Sequence, residues 1–179
     1  NRGLEHLGLP KGRYDTIHPN DHVNASQSTN DAYPTALKIA TYFGIETLLK
    51  ALSALRGAFE AKAEEFKGIL KIGRTQLQDA VPMTLGQEFA AFAAMIADDE
   101  RRLRQSAYLM TEVNMGGTAI GTGINAPVGY VDVVIPELAR LSGVPVKAAA
   151  NLIAATSDTG AFVDISGVLK RIAAKLSKI

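Results

Sequence analysis

Three polar stretches of this sequence carry the side chains best suited to chemistry, and each lies between apolar, helix-patterned segments. The first is His18-Pro19-Asn20-Asp21-His22-Val23-Asn24-Ala25-Ser26-Gln27-Ser28-Thr29-Asn30-Asp31, a dense run of short hydrogen-bonding groups. Such a run either caps itself and the helix that follows, or presents neutral donors and acceptors to a polar ligand. His18 and His22 lack the third clustered ligand that a metal site requires, so no metal is assigned to them. The second stretch, Gly73 to Pro82, gathers Arg74, Thr75, Gln76, Gln78 and Asp79. Either Asp79 pairs Arg74 across a turn, or the neutral groups bind a carboxylate. The third is Asn114-Met115-Gly116-Gly117-Thr118-Ala119-Ile120-Gly121-Thr122-Gly123-Ile124-Asn125. No strand precedes it and no lysine follows where a phosphate loop needs one. Its glycines read as points of close backbone passage, with Thr118, Thr122 and Asn125 as local polar groups.

The elements that must position these stretches are helical. Residues 1 to about 28 read as irregular, punctuated by Gly3, Gly8, Pro10, Gly12 and Pro19. A helix is expected to open near Asn30 or Asp31, with Pro34 in its first turn, where no helical hydrogen bond is lost. Ile45, Leu48, Leu49, Leu52, Leu55, Phe59, Ala63 and Phe66 recur at three- and four-residue spacing and predict an amphipathic helix over 45–67. Gly68 reads as its left-handed stop, and residues 69–83 as a connector. Thr84 and Gln87 form a capping box that opens a long helix to about Asn114. Leu85, Phe89, Phe92, Ile96, Leu103, Met110 and Val113 make its apolar seam. Asp99 and Ser106 fall on the same seam, either as a helix end leaving the core or as a polar contact fixing register with another subunit. A shorter helix is expected over about Val131 to Ser142, closed by Gly143 and Pro145. The last begins near Ser157 or Thr159 and carries Phe162, Ile165, Leu169, Ile172, Leu176 and Ile179. No alternating strand pattern stands out, so the fold class is mainly α, a long-helix bundle.

Composition narrows the function classes. A formal net charge of +1 makes no electrostatic case for nucleic acid or a membrane surface. The absence of cysteine excludes disulfides, thiolate metal sites and cysteine nucleophiles. Aromatic residues are only 6% with no Trp, thin for a self-contained core, while the Ala-rich run 89–95 invites close helix neighbours. The sequence opens on Asn1-Arg2-Gly3 and ends with its helical pattern still running. Both ends read as cuts through a larger protein.

Together and in order, the three stretches resemble the aspartase/fumarase superfamily of lyases over essentially the whole chain. The matching runs are His18 to Asn24 followed by Ser26-Gln27-Ser28-Thr29-Asn30-Asp31, then Gly73-Arg74-Thr75 with Gln78-Asp79-Ala80 and Pro82 to Glu88. Gly116-Gly117-Thr118-Ala119 with Gly121-Thr122-Gly123 and Asn125 completes them. Thr29 stands where class II fumarases typically have a second serine, and Gln76 to Met83 is most similar to the aspartate-deaminating branch. Many relatives carry His where this sequence has Gln76, so no imidazole relay is expected there. The resemblance implies residues 1–28 from the end of an N-terminal region and 29–179 from a central helical-bundle domain. It further implies a cytoplasmic homotetramer whose composite active sites draw on three subunits.

The implied reaction is reversible anti-elimination of ammonia from L-aspartate to give fumarate. No redox or pyridoxal cofactor is implied, and a divalent cation such as Mg2+ enters only as an activator. Ser28 and Thr29 would bind the carboxylate next to the deprotonated carbon, Asn30 the departing amino group, and Thr75 and Gln76 the other carboxylate. The family's Gly-Ser-Ser loop, which carries the serine base, does not occur here, nor does its early Gly-x-x-Thr-Ser segment. No catalytic base is therefore expected among these residues, and the chain reads as an inactive internal fragment. The rival expectations are a class II fumarase and a non-catalytic helical assembly module.

Overall fold

The opening stretch is more ordered than its glycines and prolines imply. In the computed structural model, which describes residues 1–179, it contains the short helix α1 (Arg2–His6) and a π-helical turn at Pro19–Val23. His18 caps that turn: its Nδ1 accepts the N–H groups of Asn20 and Asp21 at 3.2 and 3.1 Å. His22 Nδ1 in turn accepts the His18 N–H at 2.8 Å. Both imidazoles are thus occupied as backbone acceptors.

Helix α2 (Thr29–Glu65) runs for 37 residues, where the sequence predicts a start at Asn30 or Asp31 and a distinct helix from Ile45. Ser28 is the cap. Its Oγ accepts the Asn30 N–H at 3.2 Å, while Asp31 Oδ1 accepts the Ser28 N–H at 2.9 Å. This reciprocal arrangement satisfies donors that a helix start leaves orphaned. Pro34 consequently lies beyond the first turn, inside the helix. Gly68 is no left-handed stop, for it is not among the positive-φ glycines. The chain leaves α2 through turns at Phe66 and Lys67, and Gly86 packs against that exit. A Cβ on Gly86 would come within 2.7 Å of Lys67 Cα.

The stretch expected to be a connector is an antiparallel hairpin, β1 (Leu70–Thr75) with β2 (Gln78–Thr84). Alternating hydrophobicity records one buried face, and this hairpin buries neither: Leu70 is 78% and Val81 65% exposed. That is why the pattern is missing. Helix α3 (Leu85–Leu109) begins with the predicted capping box, Gln87 N–H to Thr84 Oγ1 and Thr84 N–H to Gln87 Oε1. It stops short of Asn114 because the next residues form β3 (Glu112–Val113), which pairs in parallel with β4 (Lys147–Ala148). Helix α4 (Tyr130–Ser142) ends at Gly143 with φ 69°, as predicted. Helix α5 (Leu152–Ser157), capped by Asn151, is an element that the sequence reading lacks. Helix α6 (Gly160–Lys178) follows.

These elements form two compact units, Asn1–Ile39 with Thr111–Asp158, and Ala40–Met110 with Thr159–Ile179. In the first, Leu4, Val113, Met115, Ile135, Val144 and Val146 are buried. In the second, Ile45, Leu49 and Leu52 of α2 pack with Ile96 and Leu103 of α3 and Ile165 and Ile172 of α6. Phe59, Phe66, Phe89 and Phe92 add a cluster with ring centroids 5.3 to 6.0 Å apart. Asp99 and Ser106 neither leave the core nor stand without partners in this chain. Asp99 is fully buried and meets Lys175 Nζ at 2.9 Å and Arg171 Nη2 at 3.1 Å, and Ser106 Oγ donates to Asp164 at 2.5 Å. Together these contacts lock α6 to α3. The α6 seam is only half covered, with Leu169, Leu176 and Ile179 at 43, 41 and 39% exposure. No helix is long and apolar enough to cross a membrane.

Candidate functional site

In the first unit the two polar stretches from opposite halves of the chain meet at Asp31. Its side chain is fully buried. Oδ1 takes the Ser28 N–H at 2.9 Å, and Oδ2 takes the N–H groups of Gly116 and Thr118 at 3.1 and 2.9 Å. A carboxylate can be buried when backbone donors surround it. The nearby Tyr130 hydroxyl has its pKa raised, first by burial and then by the Asp31 charge, with a hydrogen bond to Gln27 opposing the rise.

The third stretch is built for close approach. A Cβ on Gly116 would lie 2.5 Å from Val131 Cγ2, and one on Gly121 would overlap the backbone of Ile153. The glycines therefore do allow close backbone passage, as their spacing predicts. Gly117 O receives the Gly121 N–H at 2.9 Å, closing a single turn around Thr118, Ala119 and Ile120. Thr118 sits there at φ 56°, a conformation costly for a β-branched residue. Its hydroxyl is buried without a partner.

That turn holds Asn30. The Asn30 side-chain Nδ2 donates to Ala119 O at 2.7 Å, and Asn114 Nδ2 donates to Asn30 O at 2.9 Å and to Thr156 Oγ1 at 3.1 Å. With its NH2 group on a carbonyl, Asn30 keeps Oδ1 as an acceptor. Ser28 and Thr29 directly precede Asn30 at the start of α2, and these two, with Asn24, Gln27, Ala32 and Tyr33, line an open cleft. Ser28 Oγ is already an acceptor for the Asn30 N–H, so its O–H remains available to donate.

Thr75 and Gln76 belong to the second unit, where they are adjacent at the tip of the hairpin. Thr75 pairs with Gln78, leaving Gln76 and Leu77 as a two-residue loop with φ 49° and 63°. Both are left-handed, as a type I′ turn demands, although neither is glycine. Arg74 Nε lies 3.5 Å from Asp79 Oδ1 at the exposed base of the loop. So the ion-pair reading of these two residues holds, and Thr75 and Gln76 remain exposed beside it.

Asp31 and Asn114 are the groups that sequence reasoning missed. The reciprocal cap spacing of Ser28 and Asp31 carried a signal for the first. Pro34 carried one for the second, since an interior proline leaves a carbonyl that some donor must answer. No group of three or more His, Asp or Glu side chains is arranged to hold a metal ion.

Comparison with known proteins agrees with this geometry. The family model described as "Lyase" matches residues 3–179. An aspartate ammonia-lyase of Pseudomonas aeruginosa is 61% identical over all of this chain, and that of Escherichia coli K12 is 54% identical. The chain spans 38% and 37% of the length of these two relatives. Among solved structures, a fumarate lyase/delta-crystallin of Brucella melitensis superposes with a TM-score of 0.95 at 60% identity, covering 99% of this chain and 39% of that one. A class II fumarase of Schistosoma mansoni superposes at 0.81 with 34% identity, over 90% of this chain and 37% of its own. On the fold and on this match along nearly its full length, the chain belongs to the lyase family.

Proposed function

We propose that this chain supplies substrate-binding segments to an ammonia-lyase that eliminates ammonia from L-aspartate to give fumarate. The observation that carries the reading is Asn30, whose amide NH2 is fixed on the Ala119 carbonyl, which leaves its oxygen as an acceptor directly after Ser28 and Thr29, two residues that line the cleft. An ammonium group needs an acceptor and a carboxylate needs donors, and this triplet offers both. The relatives named aspartate ammonia-lyase support the choice of substrate.

In the reaction a base removes the C3 proton, and the electron pair delocalises into the adjacent carboxylate as an enediolate. It then returns to form the C2–C3 double bond as the C–N bond breaks and ammonia leaves. Ser28 and Thr29 donate to the carboxylate as its charge develops, which is where fixed neutral donors contribute most. Thr75 and Gln76 hold the other carboxylate. The serine base that the resemblance implies lies outside these residues, so the isolated chain is inactive. The working enzyme is a cytoplasmic homotetramer with sites composed from three subunits. The chemistry requires no redox or pyridoxal cofactor. Mg2+ finds no ready ligand cluster in this chain, and no step is assigned to it.

The test is to assay the complete enzyme containing this chain on L-aspartate and L-malate, following the absorbance of fumarate. Turnover of L-aspartate is expected. Turnover of L-malate alone would make it a fumarase, and turnover of neither would leave a helical assembly module.

A further inference from the structure

The amide of Asn30 has no intrinsic reason to point one way. As an exposed side chain at the start of a helix it would sample both faces of its terminal torsion. What removes that freedom is the Ala119 carbonyl, 2.7 Å from Nδ2. That carbonyl belongs to the turn closed from Gly117 O to Gly121 N–H. Two contacts pin the turn. On one side, Asp31 Oδ2 holds the N–H of Thr118 at 2.9 Å and keeps this β-branched residue at φ 56°. On the other, Gly121 lies against the Ile153 backbone with no room for a Cβ. Asp31 itself reaches no solvent, so it cannot touch a substrate in the cleft.

We infer that Asp31 and Thr118 are positioning residues. They lock the 117–121 turn so that the Ala119 carbonyl orients Asn30, and Asn30 Oδ1 then faces the substrate amino group. The inference rests on the reading above in which Asn30 receives that group. It adds that amino-group recognition is controlled from the buried side, by a carboxylate and a strained backbone that never meet the ligand. It also gives the strain a role. Residues held in sparsely populated conformations persist where the surroundings over-determine them, and Thr118 is held by a buried charge.

The experiment compares two ligands in the complete enzyme carrying Asp31→Asn or Thr118→Gly. Thr118→Gly keeps the N–H, so it retains the fold even if Asp31→Asn does not, while the wider backbone freedom of glycine lets the turn leave the conformation that holds the Ala119 carbonyl on Asn30. L-Aspartate carries both carboxylates and the amino group, and succinate carries the carboxylates alone. Thr118→Gly is expected to raise KM for L-aspartate about tenfold while the inhibition constant of succinate changes less than twofold. The double variant with Asn30→Ala should be no worse than Asn30→Ala alone. Equal weakening of both ligands would show a merely structural role and overturn the inference. So would additive losses in the double variant. If the wild-type enzyme does not turn over L-aspartate, the functional reading fails by itself. The positioning is then decided by exchange of the Asn30 side-chain amide protons. Slow exchange in the wild type and fast exchange in Thr118→Gly supports it, and equal exchange overturns it.

Discussion

The Asn114 side chain donates from Nδ2 to the carbonyl of Asn30 at 2.9 Å, and Asn30 is the residue four before Pro34. In an uninterrupted helix that carbonyl would take the N–H of residue 34, which proline lacks. A side chain distant in sequence therefore completes the backbone of α2. Replacing Asn114, 3% exposed, by Ala should cost about 2–3 kcal/mol, because it strands the Asn30 carbonyl and takes a donor from the half-buried Thr156 hydroxyl. In a Pro34→Ala background the helix regains its own donor, and the same replacement should cost about 1 kcal/mol less. A double-mutant cycle by urea unfolding measures the difference, and strict additivity would refute the relationship.

The buried Asp99 makes an asymmetric prediction. It faces Lys175 and Arg171 together. Lys175→Met leaves Arg171 as partner and should cost about 1–2 kcal/mol. Removing both cations leaves an uncompensated buried charge and should cost about 3–5 kcal/mol, whereas adding Asp99→Leu to that pair should recover most of it. Chemical denaturation of the three variants distinguishes this from simple loss of packing.

Lys38 sets a pH dependence on the alkaline side. Burial is the main reason its pKa lies below the ordinary lysine value, with the Glu112 and Asp158 charges opposing. Its ammonium donates to Glu112 O at 2.7 Å, a bond that the neutral amine can also make. The folded state therefore binds this proton more weakly than the unfolded state does. Stability from this group rises as pH climbs through the folded value toward the ordinary one near 10.4. Lys38→Met should flatten that rise, as thermal unfolding between neutral and alkaline pH would report.

The hairpin tip predicts a gain. Leu77 is 96% exposed at φ 63°, so its side chain gives nothing to the fold of this chain while its backbone is strained. Leu77→Gly should stabilise the isolated chain by about 0.5–1 kcal/mol, read as a higher Tm. A lower Tm would mean that the leucine makes a contact in the folded chain.

At Gly121 the opposite holds. With φ 94° and a Cβ overlapping Ile153, Gly121→Ala should destabilise by more than about 3 kcal/mol. An unchanged unfolding midpoint would show that the turn has room to shift.

What could be read from the residues, and what could not, divides along a physical line. The Thr84–Gln87 box and the Gly143 stop are local devices, and both stand where the spacing places them. The core positions Ile45, Leu49, Leu52, Ile96, Leu103, Ile165 and Ile172 follow from helical periodicity. The hairpin was invisible because periodicity reports burial, and its strands bury neither face. The spacing predicts a helix opening near Asn30 or Asp31 with Pro34 in its first turn and a distinct one from Ile45, whereas α2 runs unbroken. The donor that accommodates Pro34 in its interior lies far along the chain, at Asn114. Asp31 looked like a simple cap because its second set of donors comes from Gly116 and Thr118. Ser28, Thr29, Asn30, Thr75 and Gln76 were legible as motifs, yet nothing in their spacing showed that the first three share one helix start and the last two a turn.

The β1–β2 hairpin closes its ladder on itself, with Thr75 facing Gln78 across the tip. Position 76 is consequently free to vary without repacking anything beneath it. A lineage can exchange Gln76 for any residue that tolerates the left-handed turn while the helices that carry the hairpin stay unchanged. In evolutionary terms, the tip is where this scaffold can experiment at little cost to its fold.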